Sequence, residues 1–297
     1  MLLPRELSWR QLTADEAEDR GVAFRGSVPV IAADRFDQHR KNRWCGACFL
    51  VSAVQFVEDR VHLFRCRRAS EAGGYMPARI TFQMQIVLDD FQSYIAPHEE
   101  ESYTACHGGF SHEVLECIAS GKCSLQRTDR VEDGWIGHVR TAAARLFGGT
   151  SSKPQVIVKP TNIRYLAPSE VQGELLANGP VIFYVSGEVM ASTNREGVVT
   201  KLDYIEEDHA VCVLGWTHHG SKGERCWIVR NSWGDKRPED VPDSYEDCNR
   251  KNANECVVSY VRWNSVPSGP HRGLCLLPCK YPGCFRPEVW LTANVEL

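Results

Sequence analysis

The chain is expected to be an α+β protein, with its helices first and most of its strands second. Three observations predict this. Apolar residues recur at helical spacing before residue 150, at Phe49, Leu50, Ala53, Val54 and Val57 and again at Phe82, Ile86, Leu88 and Phe91. After the crossing Gly148-Gly149-Thr150-Ser151-Ser152-Lys153-Pro154, short runs rich in Val, Ile and aromatic residues take over. Finally, 297 residues with 43% hydrophobic and 24% charged content can bury a large core. We therefore expect a single domain over residues 1–297, with a helical lobe at roughly 25–150 and a β-rich lobe at roughly 151–297.

In chain order, Leu3-Pro4-Arg5-Glu6-Leu7-Ser8-Trp9-Arg10 opens the sequence, and an acidic stretch (Asp15, Glu16, Glu18, Asp19) reads as surface. Residues 28–31 suit a short strand, and Asp37-Gln38-His39-Arg40-Lys41-Asn42-Arg43 is a polar loop. The first helix begins near Cys48, with Glu58, Asp59 and Arg60 expected as its polar end and Arg65, Arg67 and Arg68 on a solvated face. A loop follows at 72–77, then helices over 81–94 and 112–119, the latter ended by Gly121. Between them, Ala105-Cys106-His107-Gly108-Gly109-Phe110 reads as a tight turn. Strands are expected at 155–159, 181–185, 198–200, 210–216, 227–230 and 257–263, with a helix at 169–177 stopped by Asn178-Gly179-Pro180. Residues 235–255 form a polar surface insertion.

A net charge of −4 argues against nucleic acid or an anionic membrane as partner. Apolar runs such as 210–216 are too short to span a bilayer. Thirteen cysteines, an odd number, fit one free thiol plus disulfides in an oxidising compartment, although a reduced protein with buried thiols fits as well. Cys275, Cys279 and Cys284 crowd a Pro/Gly-rich loop, and Cys248 and Cys256 flank a polar segment; both groups favour disulfides over zinc. The N-terminus has no signal-peptide pattern, so a processed or truncated form is expected.

Trp44-Cys45-Gly46-Ala47-Cys48-Phe49 carries the chemistry. A cysteine in the first helical turn meets unpaired N–H groups and the positive end of the helix dipole, which lower a thiol pKa and favour the nucleophilic thiolate. A redox pair, half of a zinc site or a core cysteine are the other readings. A thiol nucleophile needs a base, and the base needs an orienting group. His209, in Asp208-His209-Ala210 at the start of a buried strand, can project into a cleft; a satisfied core histidine is the alternative. Asn231, in Arg230-Asn231-Ser232-Trp233-Gly234 at the end of the next strand, can fix its tautomer under Trp233, or the run is a turn with a packing tryptophan.

The order Cys48, His209, Asn231 resembles the papain-like cysteine peptidase family. The likeness covers nearly the whole chain through Leu-Pro-x-x-x-x-Trp-Arg, Cys-Gly-Ala-Cys, Cys-His-Gly-Gly, Asn-Gly-Pro-Val, Asp-His-Ala-Val and Trp-Ile-Val-Arg-Asn-Ser-Trp-Gly. The resemblance implies a two-lobed fold, a helical lobe and a β-barrel-like lobe with the active-site cleft between them. It makes Cys48 the nucleophile, His209 the proton carrier and Asn231 its orienter, and it implies a Cys45–Cys106 disulfide. Asp37-Gln38-His39 is similar to the Asn-Gln-His of the cathepsin X branch. That likeness implies Gln38 as oxyanion donor and His39 as the cation that binds a substrate's terminal carboxylate, hence a carboxypeptidase. Substrate would lie against His39, Gly108, Gly109, Phe110, Asp208, Ala210 and Trp233, with a side-chain pocket at Phe110, Ser111, Ala210 and Lys280.

Phe49, in place of the family's usual aromatic, and the missing Trp-Gly-Glu after Gly234 depart from the family pattern. The family implies a peptide or protein substrate, no metal or organic cofactor, an inhibitory propeptide outside this chain, and a lysosomal, endosomal or secreted location. The alternative is a catalytically silent papain-like fold serving as a structural subunit of a larger assembly.

Overall fold

The computed structural model describes residues 3–9, 35–37, 46–73, 77, 80–95, 105–127, 158–194, 197–203, 206–233, 259–261 and 274–296. In chain order these hold β1 (Leu7–Ser8), β2 (Arg35–Asp37), α1 (Cys48–Glu71), α2 (Met84–Ile95), α3 (Ser111–Ala119), β3 (Lys159–Tyr165), α4 (Val171–Asn178), β4 (Val181–Val185), α5 (Gly187–Ala191), β5 (His209–His219), β6 (Glu224–Arg230), β7 (Ser259–Val261), β8 (Cys275–Pro278) and β9 (Trp290–Glu296). The α+β class follows from this, with α1, α2 and α3 ahead of a seven-stranded sheet ordered β3-β9-β4-β5-β6-β8, onto which β1 adds beside β5. All pairings within that path are antiparallel, and β2 pairs with β7 as a separate two-stranded ribbon.

Helix α1 is longer and more buried than its apolar spacing suggests. Glu58, Asp59 and Arg60 do not form a solvated end; they are 1%, 0% and 6% exposed. The helix packs against α2 and α3 and also against β4, β5 and β9, so its polar side meets the sheet rather than water. Buried charge survives only when partnered, and each group here has a partner. Glu58 Oε1 accepts from Phe82 N at 2.7 Å. Arg230 Nη2 donates to Asp59 Oδ2 at 2.7 Å. Arg60 Nη2 donates to Glu174 Oε1, Pro180 O and Thr292 Oγ1 at 2.9, 2.9 and 3.0 Å.

The N-terminal segment joins the sheet by pairing with β5. Trp9 Nε1 donates to Leu175 O at 2.7 Å and Trp216 Nε1 to Arg5 O at 3.2 Å. Leu7 stands opposite Trp216 where β5 bulges between Val213 and Gly215. Gly215 has φ +153°, and a Cβ there would overlap the Leu7 carbonyl oxygen. Gly215→Ala is therefore expected to destabilise the fold by more than about 2 kcal/mol, read as a lower urea midpoint; an unchanged midpoint would contradict this account of β1.

Some sequence expectations change. The 198–200 segment makes single bridges to Thr193 and Leu276 rather than a strand. Strand β8 is an addition because the cysteines at 275–284 read as a loop, and β9, at Trp290–Glu296, is a further addition. Cys275, Cys279 and Cys284 are free thiols, not disulfide partners, as are Cys48, Cys66, Cys212 and Cys226. Cys275 lies in β8, and Cys279 is pinned where its N–H donates to Arg225 O at 2.9 Å. Cys117 and Cys123 form a disulfide that the sequence did not suggest. Residues 28–31, the crossing at 148–154, the insertion at 235–255 and Cys248 and Cys256 lie outside the described residues.

Candidate active site

Cys48 is the first residue of α1 and is 8% exposed. Its approach is set by Gly46, whose N–H donates to Cys106 O at 2.7 Å. A Cβ at Gly46 would lie 2.8 Å from that oxygen and 3.2 Å from Gly108 N, so only glycine fits between the two segments. Cys106 is disulfide-bonded; Cys45 lies outside the described residues. The turn 106–110 is held against the helix start from the other side too: a Cβ at Gly109 would meet the Phe49 ring at 2.9 Å, and Ser111 Oγ donates to Phe49 O at 2.9 Å. Phe49 is fully buried beneath this turn, 5.5 Å from the Phe91 ring.

His209 opens β5, and the next residue lies against α1. Ser52 Oγ, one turn beyond Cys48, donates to Ala210 O at 2.8 Å, and the Ala210 backbone acts on the Cys48 thiol. His209 Nε2 pairs with Asn231 Oδ1 at 2.8 Å. The same Oδ1 accepts from Ser232 N at 2.8 Å, so this atom is the amide oxygen and the proton sits on Nε2. That leaves Nδ1 as the basic nitrogen of the neutral ring. Trp233 stacks on the imidazole with centroids 4.7 Å apart.

Burial decides the resting charge. It pushes the Cys48 thiol up to about 11, against favourable backbone N–H groups and with the Asp208 carboxylate adding to the rise. It pushes His209 down to about 4, although Asn231 and Asp208 favour the cation. The helix-terminus effect expected from sequence is thus outweighed by desolvation. Burial therefore favours the neutral thiol and the neutral imidazole. An ion pair formed between them would offset its own desolvation, since each charge becomes the other's partner.

A family model described as papain family cysteine protease matches residues 79–263, more than half of the chain. This chain belongs to the papain family of cysteine proteases. A solved structure from work on the mite allergens Blo t 1 and Der p 1 is similar, at a TM-score of 0.54 and 16% identity over 99% of this chain and 71% of that one. At that identity the likeness speaks for the fold alone, and it agrees with the α+β architecture above.

In this papain-family protease the other sequence-derived site residues fall as follows. Asp208 Oδ1 accepts from Gly187 N at 2.6 Å, so its carboxylate holds the start of α5 beside Trp233. Gly108, at φ +121°, and Gly109 precede Phe110, which is 56% exposed. Lys280 is not at a pocket floor. It pairs with Glu224, at the end of β6 away from Asn231, about 20 Å along a seven-residue strand. Gln38 and His39 lie outside the described residues. Sequence reasoning missed Asp59–Arg230 and Ser52; a buried arginine in an apolar strand is the signal that a carboxylate must be sought for it.

Proposed function

We propose that this protease cleaves peptide bonds through Cys48, His209 and Asn231, and that it removes residues from a free C-terminus. The observation that carries the first part is the His209–Asn231 hydrogen bond under Trp233, at the start of the strand that abuts Cys48. In this reading the Cys48 sulfur attacks the carbonyl carbon as its proton passes to His209. The C–N bond breaks, the leaving amine takes that proton, and an acyl-thioester remains for water to hydrolyse. As the first helical residue, Cys48 offers its own N–H to the oxyanion.

The carboxypeptidase reading is supported by the sequence Asp37-Gln38-His39-Arg40-Lys41 alone, with Gln38 as second oxyanion donor and His39 as carboxylate receptor. The disulfides at Cys106 and Cys117–Cys123 support a lysosomal, endosomal or secreted setting. The test compares one peptide with a free and an amidated C-terminus. The expected result is at least about 100-fold faster release from the free acid, the scale of a lost buried ionic contact. Equal rates would leave a peptidase without C-terminal preference.

A second reading, a silent scaffold, has one observation behind it: burial favours the neutral form of both Cys48 and His209. A peptidyl epoxide separates the two. Covalent addition at Cys48 marks an enzyme, and an unmodified intact mass marks a scaffold.

A further inference from the structure

Ser52 is a polar residue in an apolar run of α1. It sits between Val51 and Ala53, one turn after Cys48, and is buried. Inside a helix a serine hydroxyl commonly turns back to the carbonyl of the preceding turn. Here it reaches out of the helix instead, and Ser52 Oγ donates to Ala210 O at 2.8 Å. The residue is tied to the same strand a second time, because Cys212 Sγ donates to Ser52 O at 3.3 Å.

These ties fall where β5 needs them. His209 and Ala210 pair with Val185 and Tyr184 of β4. Among the described residues the β5–β6 ladder begins at Cys212, opposite Arg230. Ahead of that ladder, the Ser52 hydroxyl fixes the start of β5 to α1. The Ala210 peptide is held at its carbonyl by Ser52, and its backbone acts on the Cys48 thiol in favour of the thiolate. Cys48 and Ser52 share a face of α1, about 6 Å apart along its axis. His209 and Ala210 are consecutive. This hydroxyl therefore joins, next to the site, the helix that carries the sulfur to the strand that carries the imidazole.

We propose that Ser52 is a positioning residue: its hydroxyl seats the start of β5 on α1 and so holds His209 within proton-transfer reach of Cys48. It touches no substrate and moves no proton. The inference rests on the reading of Cys48 and His209 as the reacting pair.

The test follows alkylation of Cys48 by iodoacetamide against pH, located by peptide mass, with kcat and KM for one peptide measured alongside. In the wild-type protein the coupled pair keeps one proton count across the neutral range, so a flat rate is expected there. Ser52→Ala is expected to lower that plateau at least about 10-fold, the scale of a displacement below 1 Å. In its place the rate should climb with pH as a lone thiol ionises. The same variant should lose kcat with KM little changed. Cys212→Ala removes the other tie and serves as the comparator for a purely structural loss: a lowered urea midpoint with the plateau kept. Ser52→Cys, whose thiol is a weaker donor, is expected to fall between serine and alanine. A folded Ser52→Ala protein with the wild-type plateau overturns the proposal, as does an equal loss of plateau in Cys212→Ala. If Ser52→Ala does not fold, Ser52→Cys decides alone, and a plateau equal to the wild type's then overturns the proposal. A wild-type protein without a plateau removes the reacting pair and the proposal with it, an outcome distinct from a plateau indifferent to Ser52.

Discussion

Replacing His209 by alanine is expected to lower peptide turnover by at least about 10⁴-fold, with Cys48→Ser doing the same and the double variant little worse, because groups that act as one unit are not additive. The imidazole is held in one orientation and one tautomer. Its Nε2 is committed to Asn231 and Trp233 covers the bond, which leaves Nδ1 as base. The pH dependence has a definite sign. With the thiol near 11 and the imidazole near 4, the pair keeps the same total proton count between those values. The acid limb of kcat/KM is therefore expected to track His209 and fall near pH 4, not near 6.5. Stability moves over the neighbouring range. The folded-state pKa of His209 lies below the ordinary 6.5, so on acidification the unfolded chain takes up its proton first. Stability is fully present above pH 6.5 and is lost as pH falls toward 4, by up to about 3 kcal/mol. His209→Gln should flatten that stretch of the urea midpoint against pH; an unchanged profile would show that the imidazole is not held neutral by burial.

Asp59→Ala is expected to cost about 3–5 kcal/mol, because it strands the Arg230 guanidinium in the core. The two side chains are 0% and 2% exposed and meet at 2.7 Å. Arg230 immediately precedes Asn231, so the pair anchors the end of β6 to α1. Asp59→Leu with Arg230→Met removes both charges at once and should recover most of the stability. The activity readout is separate. If the pair positions Asn231, the stable double variant keeps a lowered kcat with KM little changed. Full activity in that variant would reduce the pair to a structural tie.

The helical periodicity of Phe49 to Val57 was sufficient to place a helix behind Cys48, and period-two apolar runs placed β4, β5 and β6. What misled was local chemistry read without neighbours. Glu58-Asp59-Arg60 has the composition of a solvated end, yet its partners arrive from Phe82, Arg230 and Glu174, far away in sequence. Cys275, Cys279 and Cys284 have the spacing of a disulfide loop, yet Cys275 joins β6 within a strand, Cys279 and Cys284 follow it, and all three thiols are free.

Residue types and their order determined which groups are available: a thiol at a helix start, a histidine opening one strand and an asparagine closing the next. Those are local properties, carried by side-chain chemistry and by periodicities of a few residues. Only the tertiary structure decided their electrical environment and what packs beside them. Desolvation depends on everything packed around a group, and the reach of Ser52 to Ala210 depends on two segments that share no stretch of chain.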